Sequence, residues 1–101
     1  EAVMARVGAA LKEMKDKQIW VQGHTDNVPV KKDNEFFASN WELSSARALT
    51  VVHYLQDVSE VNPRRLAATA FSSYRPVSKR NKAKNRRIEI VLMPRDIRLK
   101  R

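Results

Sequence analysis

Gly23-His24-Thr25-Asp26, read together with Asn40-Trp41-Glu42-Leu43-Ser44-Ser45-Ala46-Arg47, is the stretch that decides the fold. On its amino side, Ile19, Val21 and Gly23 alternate with Trp20, Gln22 and His24, the period of a strand. Apolar side chains on both faces at its start predict an interior strand. Thr25-Asp26-Asn27 ends it with turn-prone residues. A long polar loop then runs to about Phe37, stiffened by Pro29, with Phe36 and Phe37 expected to fix its far end to the core. Ser39 with Glu42 three positions on predicts a capping box. In the helix that follows, over 40–58, Leu43, Arg47, Val51, Tyr54 and Val58 fall within one arc. Arg47 is therefore placed on or beside the buried stripe, where a full charge needs a partner.

Working outward, Val3, Val7, Ala10, Leu11 and Met14 keep helical spacing over 2–15, with Arg6, Lys12, Glu13 and Lys15 off the stripe. Asn62-Pro63 stops the second helix region. Residues 65–71 predict a second strand with Leu66, Ala68 and Ala70 on one face. A polar loop covers 72–84. In a last strand over 86–92, Ile88, Ile90 and Leu92 face the core, and Arg87, Glu89 and Val91 face away. Pro94 ends it, and the basic tail over 94–101 is expected to be a short helix or a frayed end. Helix, strand, helix, strand, strand predicts an α/β arrangement with the three strands in one sheet and both helices on one face.

The 101 residues suffice for a single domain over 1–101 with one modest core, and a 43% hydrophobic share places it among globular chains. No apolar run is long enough to span a bilayer. A chain that opens at Glu1 is expected to be a piece of a longer protein whose anchor or targeting segment lies outside it. With no cysteine, disulfides, thiolate catalysis and zinc–thiolate sites are excluded. The net charge of +9 is concentrated at the carboxyl end. Eleven Lys or Arg lie in 75–101 against Glu89 and Asp96, while the first 74 residues balance to zero.

Two constellations could carry chemistry. Asp26 past a strand end and Arg47 near a helix start suit a ligand with an ammonium and a carboxylate, because Asp accepts from one and Arg donates a planar fork to the other. The competing reading is an Asp26–Arg47 ion pair that fixes the loop. The second is the run Lys79-Arg80-Asn81-Lys82-Ala83-Lys84-Asn85-Arg86-Arg87, which suits phosphates. Tyr74 is its only nearby aromatic, so a base-stacking platform is poorly supported. His24, Asp26 and His53 form no recognised metal motif, and Ser44 and Ser45 sit in no nucleophile elbow. No cofactor, metal or enzymatic activity is expected.

Gly23-His24-Thr25-Asp26, Asn40, Leu43-Ser44, Arg47-Ala48, Tyr54-Leu55, Pro63–Leu66 and Asn85-Arg86-Arg87-Ile88-Glu89, in that order over about 19–92, resemble the OmpA-like family of peptidoglycan-binding domains. Asn27-Val28-Pro29-Val30 and Ser39-Asn40-Trp41-Glu42-Leu43-Ser44 look most like its flagellar stator branch of the MotB type. The resemblance implies an α+β sandwich, β/α/β/α/β, with a mixed sheet and two helices on one face. The strand that usually precedes the first helix is expected to be missing here. It also implies non-catalytic binding of peptidoglycan, with Asp26 on the ammonium and Arg47 on the carboxylate of diaminopimelate in the stem peptide. Asn40 and Leu43 match pocket-lining positions, Thr25 shapes the pocket, and Arg87 matches a supporting strand arginine. The implied setting is the periplasm, with the parent anchored in the inner or outer membrane, a homodimer as one expected assembly, and the domain serving as a wall anchor. The alternative is a basic nucleic-acid-binding domain.

Overall fold

Strand β1 (Lys17–His24) is the middle of a three-stranded sheet, flanked by β2 (Leu66–Ala70) and β3 (Arg87–Pro94). The computed structural model describes residues 2–94, so the tail from 95 to 101 lies outside the described residues. β1 runs parallel to β2 and antiparallel to β3, with Ile19 opposite Leu66 and Leu92, and Val21 opposite Ala68 and Ile90. The parallel pair needs a crossover, and helix α2 (Asn40–Asp57) supplies it. Helix α1 (Ala2–Glu13) precedes β1. Single 3-10 turns at Pro63–Arg65 and Lys82–Asn85, unforeseen in the sequence, lead into β2 and β3.

Both helices lie on the same face of the sheet. Ile19 and Val21 are wholly buried against Leu11 of α1, Ala48 and Leu55 of α2, and Val61. Each such aliphatic side chain contributes about 1.5–3 kcal/mol on burial. The fold is thus the mixed-sheet α+β sandwich with helices on one face, built on three strands among the described residues.

Arg65 ties α1 to the sheet. Its guanidinium donates to Lys17 O at 2.8 Å, to Leu11 O at 2.9 Å and to Met14 O. Helix ends leave carbonyls without partners, and a basic side chain can satisfy them.

The buried side of α2 differs from the arc read in the sequence. Ser44, Ala48 and Leu55 are the buried residues, with Val51 and Val52 packed beside them. Tyr54 is only half-buried and Val58 is exposed, and Arg47 points to the surface rather than to a buried stripe. The cause is Gly23. A Cβ on Gly23 would lie 2.0 Å from the carbonyl oxygen of Ser44, so strand and helix backbones are in direct contact. Only small side chains fit at that approach, and Ser44 and Ala48, one turn apart, are the pair that does. The helix turns about one residue to present them instead of Leu43 and Arg47.

The loop's far end is also held differently. Phe36 is 78% exposed rather than fixed in the core. The Asn34 side-chain oxygen instead accepts from the backbone N–H groups of Phe36 and Phe37 at 2.7 and 2.9 Å, a local turn. The cap of α2 is as expected: Ser39 Oγ accepts from Trp41 N at 3.1 Å and also contacts Glu42.

Gly23→Ala is expected to destabilise the domain by about 1–3 kcal/mol or more, because backbone must move to admit the methyl group. In a thermal melt this is a fall in Tm of roughly 4–8 °C per kcal/mol. An unchanged Tm would show that α2 does not rest on Gly23.

A candidate ligand pocket beyond strand β1

The carboxyl end of β1 and the start of α2 enclose a pocket of about 470 Å³ whose lining includes Thr25, Asp26, Asn40, Leu43, Arg47 and Arg86. Five of these were singled out in the sequence, and the fold brings all five together. Arg86 was not.

Asp26 is only 8% exposed. One carboxylate oxygen accepts from Val28 N at 3.0 Å, and the other accepts from Arg86 Nη1 at 2.5 Å. The Arg86 hydrogen bond, assisted by Val28 N–H and opposed by burial, holds its carboxyl below the usual carboxylate range. The group is therefore an ionised, fixed acceptor. Thr25 is buried; its hydroxyl donates to Asp26 O at 2.9 Å and its N–H to Ser72 O at 2.8 Å. The Asn40 side-chain amide donates to Val28 O at 3.1 Å and Asp26 O at 3.4 Å, joining the loop to the first turn of α2. Asn40 and Thr25 are thus positioning groups for the loop that carries Asp26.

Arg47 lines the same pocket but makes no ion pair or hydrogen bond among the described residues. The Asp26–Arg47 ion pair raised by the sequence does not form; Asp26 pairs with Arg86 instead. Two guanidiniums and one carboxylate give the pocket an excess positive charge, and Arg47 carries the part of it that has no partner among the described residues.

Strand alternation could have found Arg86. Ile88 and Ile90 face the helices, so Arg86, two residues earlier, falls on their side, at the end where Asp26 lies. Arg87 falls on the opposite face. It donates to Glu89 at 2.5 Å, to Arg75 O at 2.9 Å and to Asn85 O at 3.2 Å. That is a supporting role for the 72–84 loop, away from the pocket. Asn85, buried, holds the same loop by accepting from Val77 N and Ser78 N and donating to Ser78 O.

Residues 1–89 match the OmpA family. The chain belongs to the OmpA family. Among relatives, it is 36% identical over 83 residues to Motility protein B of Bacillus subtilis (strain 168), covering 78% of this chain and 31% of that protein. In structure, it is similar to the periplasmic domain of Helicobacter pylori MotB, with a TM-score of 0.84 at 28% identity, over 98% of this chain and 64% of that one. It is also similar to the cell wall anchor of the T6SS from Pseudomonas aeruginosa, with a TM-score of 0.79 at 34% identity, over 93% of this chain and 66% of that one. The chain spans about a third of the length of the curated relatives it matches. The MotB-type likeness carried by Asn27–Val30 and Ser39–Ser44 agrees with these relatives.

His24, the last residue of β1 in this OmpA-family domain, lies on the sheet face that carries Arg87 and Glu89. It is buried and stacked on Phe71 at 5.1 Å, neither ring nitrogen has a hydrogen-bond partner among the described residues, and Nε2 lies 4.0 Å from Glu89. Burial first, then the nearby Arg87 charge, lowers its pKa from 6.5, so the folded state protonates it at lower pH than the unfolded chain does. The unfolded chain takes up that proton first as pH falls. The full stability is therefore present above about pH 6.5 and declines below it. Asp26, lowered from 3.8, contributes stability above that pH that is lost as pH falls through its folded value. Melts across pH are expected to show two successive declines, and His24→Phe, which keeps the stack, is expected to remove the upper one. An upper decline unchanged in that variant would show that His24 does not titrate on unfolding.

Proposed function

We propose that this domain binds cell-wall peptidoglycan without catalysis, through the diaminopimelate of the stem peptide, and anchors a membrane or motor protein to the wall in the periplasm. The observation that carries the reading is the pairing in one pocket of a fixed, ionised Asp26 with an Arg47 that has no partner among the described residues. An ammonium meets Asp26 on the side left open by Val28 and Arg86. A carboxylate meets the Arg47 fork, and Leu43 supplies an apolar wall for the methylene chain between them. Family membership and the wall-anchor relative support the same reading.

The nucleic-acid alternative is weaker than its charge run suggests. Arg86 and Arg87 are engaged by Asp26 and Glu89, so the last two cations of the run are already paired inside the protein. Lys79, Arg80, Lys82 and Lys84 remain as a general attraction for anionic wall groups, screened by salt.

Arg47→Lys is the cleanest test, because Arg47 has no partner among the described residues to lose while Asp26→Asn also breaks the tie to Arg86. Arg47→Lys keeps a charge but not the fork, and is expected to weaken binding to a purified diaminopimelate-containing muropeptide by about 1.5–3 kcal/mol, roughly tenfold to a hundredfold, with an unchanged melt. Asp26→Asn is expected to weaken binding at least as much and to lower Tm as well. A folded Arg47→Lys protein that binds like the parent would overturn the assignment.

A further inference from the structure

At the end of the sheet opposite Asp26 lies a separate cavity of about 380 Å³, between the end of α1, the start of β1 and the turn that leads into β2. Lys12, Lys15, Lys17, Arg64 and Arg65 line it, against one carboxylate, Glu60. We propose that it binds a phosphomonoester, the chemistry shared by small soluble phosphate esters and by a phosphatidic acid headgroup. The eight residues of β1 separate it from the Asp26 pocket by about 23 Å, so the site stands apart from the peptidoglycan reading.

The hydrogen-bonding groups of the lining select the ligand. Gln18 and Asn62 are the amides of the cavity, and each has its oxygen engaged within the protein. Gln18 Oε1 accepts from Trp20 Nε1 at 3.2 Å, and Asn62 Oδ1 accepts from Arg64 N at 3.0 Å. Their NH2 groups are left as donors. Arg65 donates through Nε and Nη2 to Lys17 O, Leu11 O and Met14 O, while Nη1 makes no hydrogen bond among the described residues. The carbonyls at the end of α1 would otherwise repel an anion, and the guanidinium that covers them is itself held in place. Lys12 is answered by Glu60 at 3.4 Å, and Lys17 has Asp16 4.0 Å away. Lys15 and Arg64 have no such partner among the described residues.

The cavity thus offers many donors and a single carboxylate that is already paired. A ligand that only accepts hydrogen bonds and carries negative charge fits it. A phosphomonoester presents three terminal oxygens and about two negative charges near neutral pH. A simple carboxylate has fewer oxygens and less charge, and leaves more of the donors unanswered. A zwitterion of the kind proposed for the Asp26 pocket would bring its ammonium to a wall of cations.

The test follows the backbone amide resonances of the 101-residue chain at low salt as sn-glycerol 3-phosphate or acetate is added. Glycerol 3-phosphate is expected to shift Gln18, Asn62 and Arg64 and to bind roughly tenfold tighter than acetate. Lys15→Gln combined with Arg64→Gln, both at exposed positions, is expected to weaken that binding about tenfold with an unchanged melt. Replacing Lys79, Arg80, Lys82 and Lys84 by Gln is expected to leave it in place. Shifts confined to 79–87 or 95–101, no shift at all, equal affinity for acetate, or binding that survives the Lys15 and Arg64 changes would overturn the proposal. Co-sedimentation with vesicles of equal parts phosphatidylcholine and phosphatidic acid, absent with phosphatidylcholine alone and lost in the double variant, assigns the ester to a lipid. Binding of glycerol 3-phosphate without that co-sedimentation assigns it to a soluble ester.

Discussion

The contact of Gly23 with the Ser44 backbone is the constraint from which the site follows. It seats α2 on β1 with no side chain between them. That seating turns Ser44 and Ala48 inward and leaves Leu43 and Arg47 at the rim, facing the residues that follow β1. It also places Ser44 Oγ where it accepts from Ser72 N at 3.1 Å, and Ser72 O in turn accepts from Thr25 N. Strand end, helix start and the turn after β2 are thereby joined through one buried hydroxyl. Ser72 sits there with a positive φ of 54°, a conformation costly for a residue with a side chain and sustained by those two hydrogen bonds. A larger residue at 23 or 44 would separate the groups that the pocket needs together.

Within that frame the electrostatics are divided by strand alternation. Arg86 and Arg87 are neighbours in sequence but serve opposite faces of the sheet. Arg86 fixes the Asp26 carboxylate on the helix side, and Arg87 steadies Glu89 and the Arg75 carbonyl on the other. Asp26 thus has one guanidinium as a structural partner, and Arg47 is the guanidinium that the proposed function assigns to a ligand. The paired guanidinium also lowers the cost of keeping a carboxylate in a nearly buried position.

Much of this was legible in the sequence because it depends on local pattern. Strand period around Ile19 and Ile88, the Ser39 cap and the turn residues after His24 are short-range signals. They place the three strands in one sheet and bring Asp26, Asn40, Leu43 and Arg47 to one end of it. What was not legible depends on contacts distant in the chain. The rotation of α2 is set by a glycine some twenty residues earlier, and an apolar arc weights bulky residues, whereas this interface selects small ones. The tie from Arg65 to α1 is fixed by where a helix ends in space, which no spacing within 62–66 encodes. Phe36 shows the converse: its apolarity suggested burial, but Asn34 closes the turn through backbone hydrogen bonds, and the ring is left outside.

The exposed Phe36 and the local turns have a common consequence for the loop between Asp26 and Ser39. Its order comes from side-chain amides bonded to backbone: Asn40 to Val28 and Asp26, and Asn34 to Phe36 and Phe37. Each such bond contributes a net of about 0.5–1.5 kcal/mol, far less than a shared apolar core would. The scaffold under the pocket, by contrast, rests on Ile19, Val21, Ala48 and Leu55, all wholly buried. Arg47 on α2 and Arg86 just before β3 therefore face a loop, carrying Asp26, that is held by few and modest bonds. On the proposed binding, ligand contacts to Asn40, Pro29 or Val30 would add to the loop's order as well as to affinity, because the groups they touch are those that hold the loop in place.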